Sequence, residues 1–183
     1  MDPAVTAALI AAPVAVVAAG AAFAAGRMQA RGAHHGPVDA VRRQHQREAY
    51  AALLVALQAF AASTSLKNCE DQARREFEAA GVSPTAEQLR VRKLNLVAEG
   101  AIDPVRSAAA VVELEGPADV AAAASNATEQ ASMVRSIAET AGYFGAQESQ
   151  EIVHNVFDAQ RELDADVRRF TLAARMELNR RPK

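Results

Sequence analysis

The chain has 183 residues, half of them hydrophobic, with a formal net charge of -2 at pH 7. That balance excludes a globally basic nucleic-acid binder, and a single cysteine, Cys69, excludes an internal disulfide. Aromatic residues make up 4% and Trp is absent, so the apolar content is mainly alanine and predicts closely packed helices with thin cores.

From Ala4 to Ala25 the chain runs 22 residues without an ionisable group, long enough to cross a bilayer as a helix. A cleaved signal peptide would need a basic n-region and a shorter apolar stretch, whereas Asp2 is the one charge ahead of this run. Val5, Leu9, Ile10, Val14, Val16, Val17 and Phe23 together contribute about -2 to -4 kcal/mol on an insertion scale. Pro13 removes one backbone donor, which neighbouring groups must offset. A single transmembrane helix within residues 1–27 is the resulting expectation.

Arg27, Arg31, Arg42, Arg43 and Arg47 follow, opposed by Asp39 alone. These are the candidate membrane-flanking basic residues. Basic residues within about 15–20 positions of a membrane end remain cytoplasmic. The reading is therefore a single-pass cell-membrane protein, N-terminus outside and C-terminus cytoplasmic, with the lipid bilayer as its first partner. Residues 28–37 hold two Gly and a Pro and read as a basic juxtamembrane linker.

Residues 38–183 read as a cytoplasmic bundle. A helix begins near Val38 and includes Ala49 to Ala62, where Gln58 is the one polar residue. This run predicts a buried core helix; extended to Leu66, it offers the alternative of a second membrane span near 49–66. The chain then either starts a new turn at Asn68 or continues to Ala80, with Gly81 as the stop. Ser83-Pro84 predicts an N-cap followed by Pro at the first helical position. The helix it opens runs toward Glu115, with a break between Gly100 and Pro104, and Gly116-Pro117 leads into the next. After a turn at Gly142-Tyr143-Phe144-Gly145, a last helix covers about Gln147 to Arg180. Its apolar positions Ile152, Val156, Ala159, Leu163, Val167, Phe170, Ala174 and Leu178 step by three or four residues, the period of a straight amphipathic helix. The fold class predicted is all-α: one N-terminal transmembrane helix followed by an up-down antiparallel bundle of about four helices.

Candidate chemistry is sparse. Glu151-x-x-His154 has the spacing used twice by di-iron bundles, but the second copy is missing, and His154 falls on the solvent side of its helix. His34 and His35 suit a polar linker. Cys69 has no His at a catalytic spacing, and Asn126-Ala127-Thr128 is a sequon predicted to lie mid-helix on the inner side. No phosphate loop, zinc-protease helix or nucleophile elbow is present. No catalytic, cofactor-binding or metal-ligating residue is therefore assigned, and the chain is not read as an enzyme.

The Ala/Val-rich start, Arg42-Arg43-x-x-x-Arg47-Glu48-Ala49-Tyr50-Ala51 and Val112-Glu113-Leu114-Glu115-Gly116-Pro117 resemble stretches of uncharacterised membrane-anchored helical proteins of GC-rich actinobacteria. An excess of Arg over Lys, 17 to 3, fits such a coding background. The resemblance implies membrane placement and carries no activity. The expected role is a membrane-anchored interaction or scaffold protein, with a protein partner or a homo-oligomer. The alternative is a sensor-type bundle holding a small ligand between its helices.

Overall fold

A computed structural model describes residues 40–140 and 148–180. The chain divides into two units, Met1–Gln44 and His45–Lys183. The expected membrane segment, the linker with His34 and His35, Arg27, Arg31 and the Gly142–Gly145 turn lie outside the described residues. Every regular element among the described residues is helical. They are α1 (Ala40–Thr64), α2 (Leu66–Ala79), α3 (Ala86–Ala98), α4 (Asp103–Glu115), α5 (Ala118–Thr140) and α6 (Glu148–Asn179).

The Ala49–Ala62 run forms the middle of α1. Tyr50, Leu53, Leu57 and Phe60 step by three or four and are all buried, the pattern of one helix face turned to a core. Burying Leu53, Leu57 and Phe60 stabilises the fold by about 1.5–3 kcal/mol each. No single helix among the described residues is long and apolar enough to cross a membrane; α1 and α2 meet that measure together, across a 50° bend.

The bend is at Ser65, whose ψ of 124° leaves the helical region. The hydroxyls of Ser63 and Thr64 both donate to Phe60 O, at 2.9 and 2.8 Å, which competes with continuing the helix. The carbonyls released at the end of α1 are then collected by side chains. Asn68 Nδ2 donates to Ala62 O (2.9 Å), Cys69 Sγ to Ser63 O (3.2 Å) and Gln160 Nε2 of α6 to Thr64 O (2.5 Å). Three of the four carbonyls a helix end leaves open are thus satisfied.

α2 ends as the sequence suggests. Gly81 adopts φ +66°, Gly81 N donates to Glu78 O and Val82 N to Phe77 O. This is the paired bonding of a glycine-terminated helix. The start of α3 differs from expectation. Thr85, not Ser83, is the N-cap: its hydroxyl accepts from Gln88 N while Gln88 Oε1 accepts from Thr85 N. A reciprocal box satisfies two donors where Ser83 would satisfy one. The break expected between Gly100 and Pro104 is present: α3 ends at Ala98 and α4 begins at Asp103. With the break at Ser65, this gives the described chain more and shorter helices than the four expected.

α5 packs against α3, α4 and α6, while α2 packs chiefly on α3. Its buried positions, Val120, Ala124, Ala127, Ala131, Val134 and Ala138, step by 4, 3, 4, 3 and 4. This mostly alanine face lets α6 approach closely through Ile152, Val156, Ala159 and Leu163. Of the eight inner positions predicted for α6, six are buried, and Val167 and Leu178 pack partly buried against the core. α1 runs antiparallel to α4. Near its start Gln46 Nε2 donates to Glu115 O at 2.8 Å, and near its end Phe60 and Thr64 surround Gly100.

Gly100 is needed for that approach. A Cβ there would collide with Thr64 Cγ2 and lie 3.0 Å from Val97 O and 3.3 Å from Phe60 Cε2. Gly100→Ala is expected to destabilise the bundle by about 1–3 kcal/mol, read as a lower urea midpoint by far-UV circular dichroism. An unchanged midpoint would show that Thr64 gives way without cost.

Candidate interaction surface

The α1–α4 pair leaves a groove on its outer side. Ala49, Ala52 and Ala108 line its floor and Val111 stands on its α4 edge. His45, Glu48 and Glu115 close one end around a volume of about 300 Å³. The same two helices expose three large apolar side chains: Val111 at the groove edge, 46% exposed, and, outside its lining, Val55 at 65% and Leu114 at 85%. The residues that make the groove are small because both helices use alanine where other bundles place leucine. A helix backbone can approach such a floor closely.

A second surface is ionic. Arg92 on α3 bridges α2 and the end of α3, with Nε 2.6 Å from Glu76 and Nη1 2.7 Å from Glu99. Glu70 is shared by Arg74 (2.8 Å) and Lys93 (3.3 Å), and Lys67 meets Asp71 at 2.8 Å. Hydrogen bonds from Arg74 and then Lys93 hold the Glu70 carboxyl below the usual carboxylate range; Arg92 and then Gln72 do the same for Glu76. These groups are paired with one another and read as the tie between α2 and α3.

The remaining sequence candidates are placed as follows. Arg42 and Arg47 are exposed on α1 and Arg43 is half-buried. His154 is exposed, with Nε2 3.4 Å from Asp158 of its own helix. Cys69 is buried, and desolvation pushes its thiol above the ordinary cysteine value, which suits a helix-end donor and not a nucleophile. The sequon corrects an expectation: Asn126 is exposed and its neighbour Ala127 is the buried one, because the α5 inner face passes through 124, 127 and 131. Among the described residues no three His, Cys, Asp or Glu side chains converge as a metal site would require.

Sequence reasoning missed the groove. Its two walls come from helices some fifty residues apart, and their contact is set by the Gln46 and Gly100 junctions, which carry no local signal. No protein-family model matches the chain, and neither a curated protein nor a solved structure matches it.

The ionic tie gives a pH dependence with a defined sign. A carboxylate whose folded pKa is depressed stabilises above its unfolded pKa, and that stability is lost as pH falls through the folded value. The urea midpoint should hold between pH 7 and about 5 and fall below that, with α2 amides losing exchange protection first. Glu70→Gln with Glu76→Gln should flatten the fall; an equally steep fall in that double variant would remove the ion pairs as its cause.

Proposed function

We propose that this chain is a membrane-anchored helical interaction protein. Residues 4–25 form the anchor, with the N-terminus outside. The basic residues from Arg27 to Arg47 hold the following chain on the cytoplasmic face of the cell membrane, and the bundle receives a partner in the α1–α4 groove. The observation that carries the interaction reading is the alanine-floored groove with Val111 exposed at its edge, on two helices that also expose Val55 and Leu114. Exposed apolar side chains gathered at a groove are where proteins meet partners. The placement rests on the uncharged 22-residue stretch and the charges behind it. The resemblance to membrane-anchored actinobacterial proteins supports the same placement.

A ligand-binding bundle is the second reading. It is favoured by the same groove, whose volume of about 300 Å³ meets the lower limit of small-molecule sites, and by the two carboxylates at its end.

Two experiments test the proposal. In a Cys69→Ser background, which keeps a donor for Ser63 O, Asp2→Cys should react with an impermeant maleimide on intact cells, and Ser149→Cys only after permeabilisation. Labelling of position 149 from outside would overturn the orientation. For the groove, Val111→Lys with Leu114→Lys changes two exposed positions and should leave stability within about 0.5 kcal/mol. Crosslinking and capture from membranes should recover about tenfold less of the partner with this variant, as expected when charge is set against an apolar contact. Equal recovery would exclude the groove as the contact.

A further inference from the structure

The charge of α6 changes sign along its length. From Glu148 to Asp164 the sequence holds five acidic residues and Arg161; from Ala165 to Lys183 it holds six basic residues against Asp166 and Glu177. Those two acids are already paired, Asp166 with Arg169 and Glu177 with Arg180. Arg168 and Arg175 stand exposed on the outer side, beside Leu172, 61% exposed, and Met176, 60% exposed. Position 172 is three or four residues from each of 168, 175 and 176, so the four share one strip. Asp164, exposed one turn before Arg168, marks its limit, and between Arg168 and Met176 no acid interrupts it. The attraction of cations to a helix C-terminus fades within the last turn, so it does not account for Arg168.

The strip lies at a defined end of the bundle. Phe170 meets Tyr50 of α1 edge to face, and Gln160 reaches Thr64 at the end of α1, so α6 runs antiparallel to α1. The basic half of α6 therefore lies where the chain enters the bundle, and the acidic half at the opposite end. Glu48 is roughly 200° around α1 from Tyr50. It lines the groove with Glu115, on the side of α1 away from α6. Residues 28–39 join the expected anchor to α1 and span about 40 Å at most.

We propose that this strip rests on the anionic lipid headgroups of the membrane that residues 4–25 enter. Arg168 and Arg175 meet the phosphates, and Leu172 and Met176 enter the boundary between headgroups and acyl chains, as in an interfacial helix. The acidic half of the helix, where Phe157 is 51% exposed, is turned from the surface by its charge. The bundle thus stands on the last three turns of α6. The inference rests on the proposed anchor for the tether; the charge and shape of the strip are independent of it. An acidic protein would attract the same arginines, but it gives no reason for the strip to lie at the tethered end.

The chain has no Trp, so one introduced residue reports alone. The full chain with Leu172→Trp is reconstituted in vesicles of equal parts phosphatidylcholine and phosphatidylglycerol with brominated acyl chains. Its emission should be blue-shifted and quenched. In phosphatidylcholine alone the quenching should be lost, and in the anionic vesicles added salt should weaken it. Phe157→Trp should stay unquenched in both. Arg168→Glu with Arg175→Glu, both at exposed positions, should abolish the quenching at 172 with the far-UV spectrum and urea midpoint unchanged.

Emission at 172 that is unquenched in anionic vesicles, or equally quenched in neutral ones, overturns the inference. So does equal quenching at 157, the outcome if all of α6 lies flat on the bilayer. Loss of a captured protein in the double-arginine variant, with no lipid quenching at 172, assigns the strip to an acidic protein instead. Flotation with phosphatidylcholine vesicles reads the anchor separately. A chain that floats with them but is unquenched at 172 in anionic vesicles keeps the anchor and loses the strip. A chain that floats and is quenched only with phosphatidylglycerol keeps the strip and loses the anchor.

Discussion

The fold depends on how the carbonyl end of α1 is closed. A helix end leaves carbonyls with no donor inside the helix, and those turned toward the core cost free energy unless something donates to them. Here the donors come from Asn68 and Cys69, one turn into α2, and from Gln160, 96 residues away. The local bonds fix the 50° bend between α1 and α2. The distant one ties that bend to α6. Thr64 serves both: its hydroxyl turns back to Phe60 O, and its methyl fills the space that Gly100 leaves open. The α3–α4 turn is thereby seated on the same point. Remove this junction and the antiparallel course of α1 along α4, and with it the groove, has no fixed geometry.

Around that junction the core is divided by residue size. Phe60, Leu53, Leu57 and Phe170 supply the bulk, with Tyr50 meeting Phe170 edge to face at 6.1 Å between ring centres. α5 supplies almost none, and its role is to let other helices come near. An alanine-rich chain gains little hydrophobic free energy per residue and offsets this by close contact, where dispersion and short backbone separations count. The same economy leaves apolar surface outside. Ala52 and Ala108 are too small to close the gap between α1 and α4, so the gap stays open as a groove.

How much of this could be read from the chain varies with the range of the cause. The α6 helix was legible almost to its ends, because a repeating three-or-four spacing over thirty residues is a local signal. Gly81 and Gly116 were legible for the same reason. Thr85 was legible in principle, since Thr85-x-x-Gln88 is a capping sequence, but the neighbouring Ser83-Pro84 offered a competing one. The Ser65 break was legible in part: a restart at Asn68 was one of two readings, and the hydroxyls of Ser63 and Thr64 compete with the helix without fixing the residue at which it stops. The groove was the least legible of all. Ala49 and Ala52 are the same letter, yet one is buried and the other forms an exposed floor, and the side each faces is decided by α4.

The small side chains of α5 leave the alignment of two helices to very few residues. Positions 124, 127 and 131 are all alanine, so the middle of this face would look almost the same to α6 after a slide of one turn. Gln130 Nε2 donates across the seam to Ala159 O at 3.1 Å, but a backbone carbonyl recurs at every turn of α6, so this bond does not choose among registers. The choice falls to the bulkier residues that break the alanine pattern: Val120 and Val134 on α5, and Ile152, Val156 and Leu163 on α6. Trimming one of those to alanine would cost more than its buried area, because it would also let the two helices stop at the wrong place.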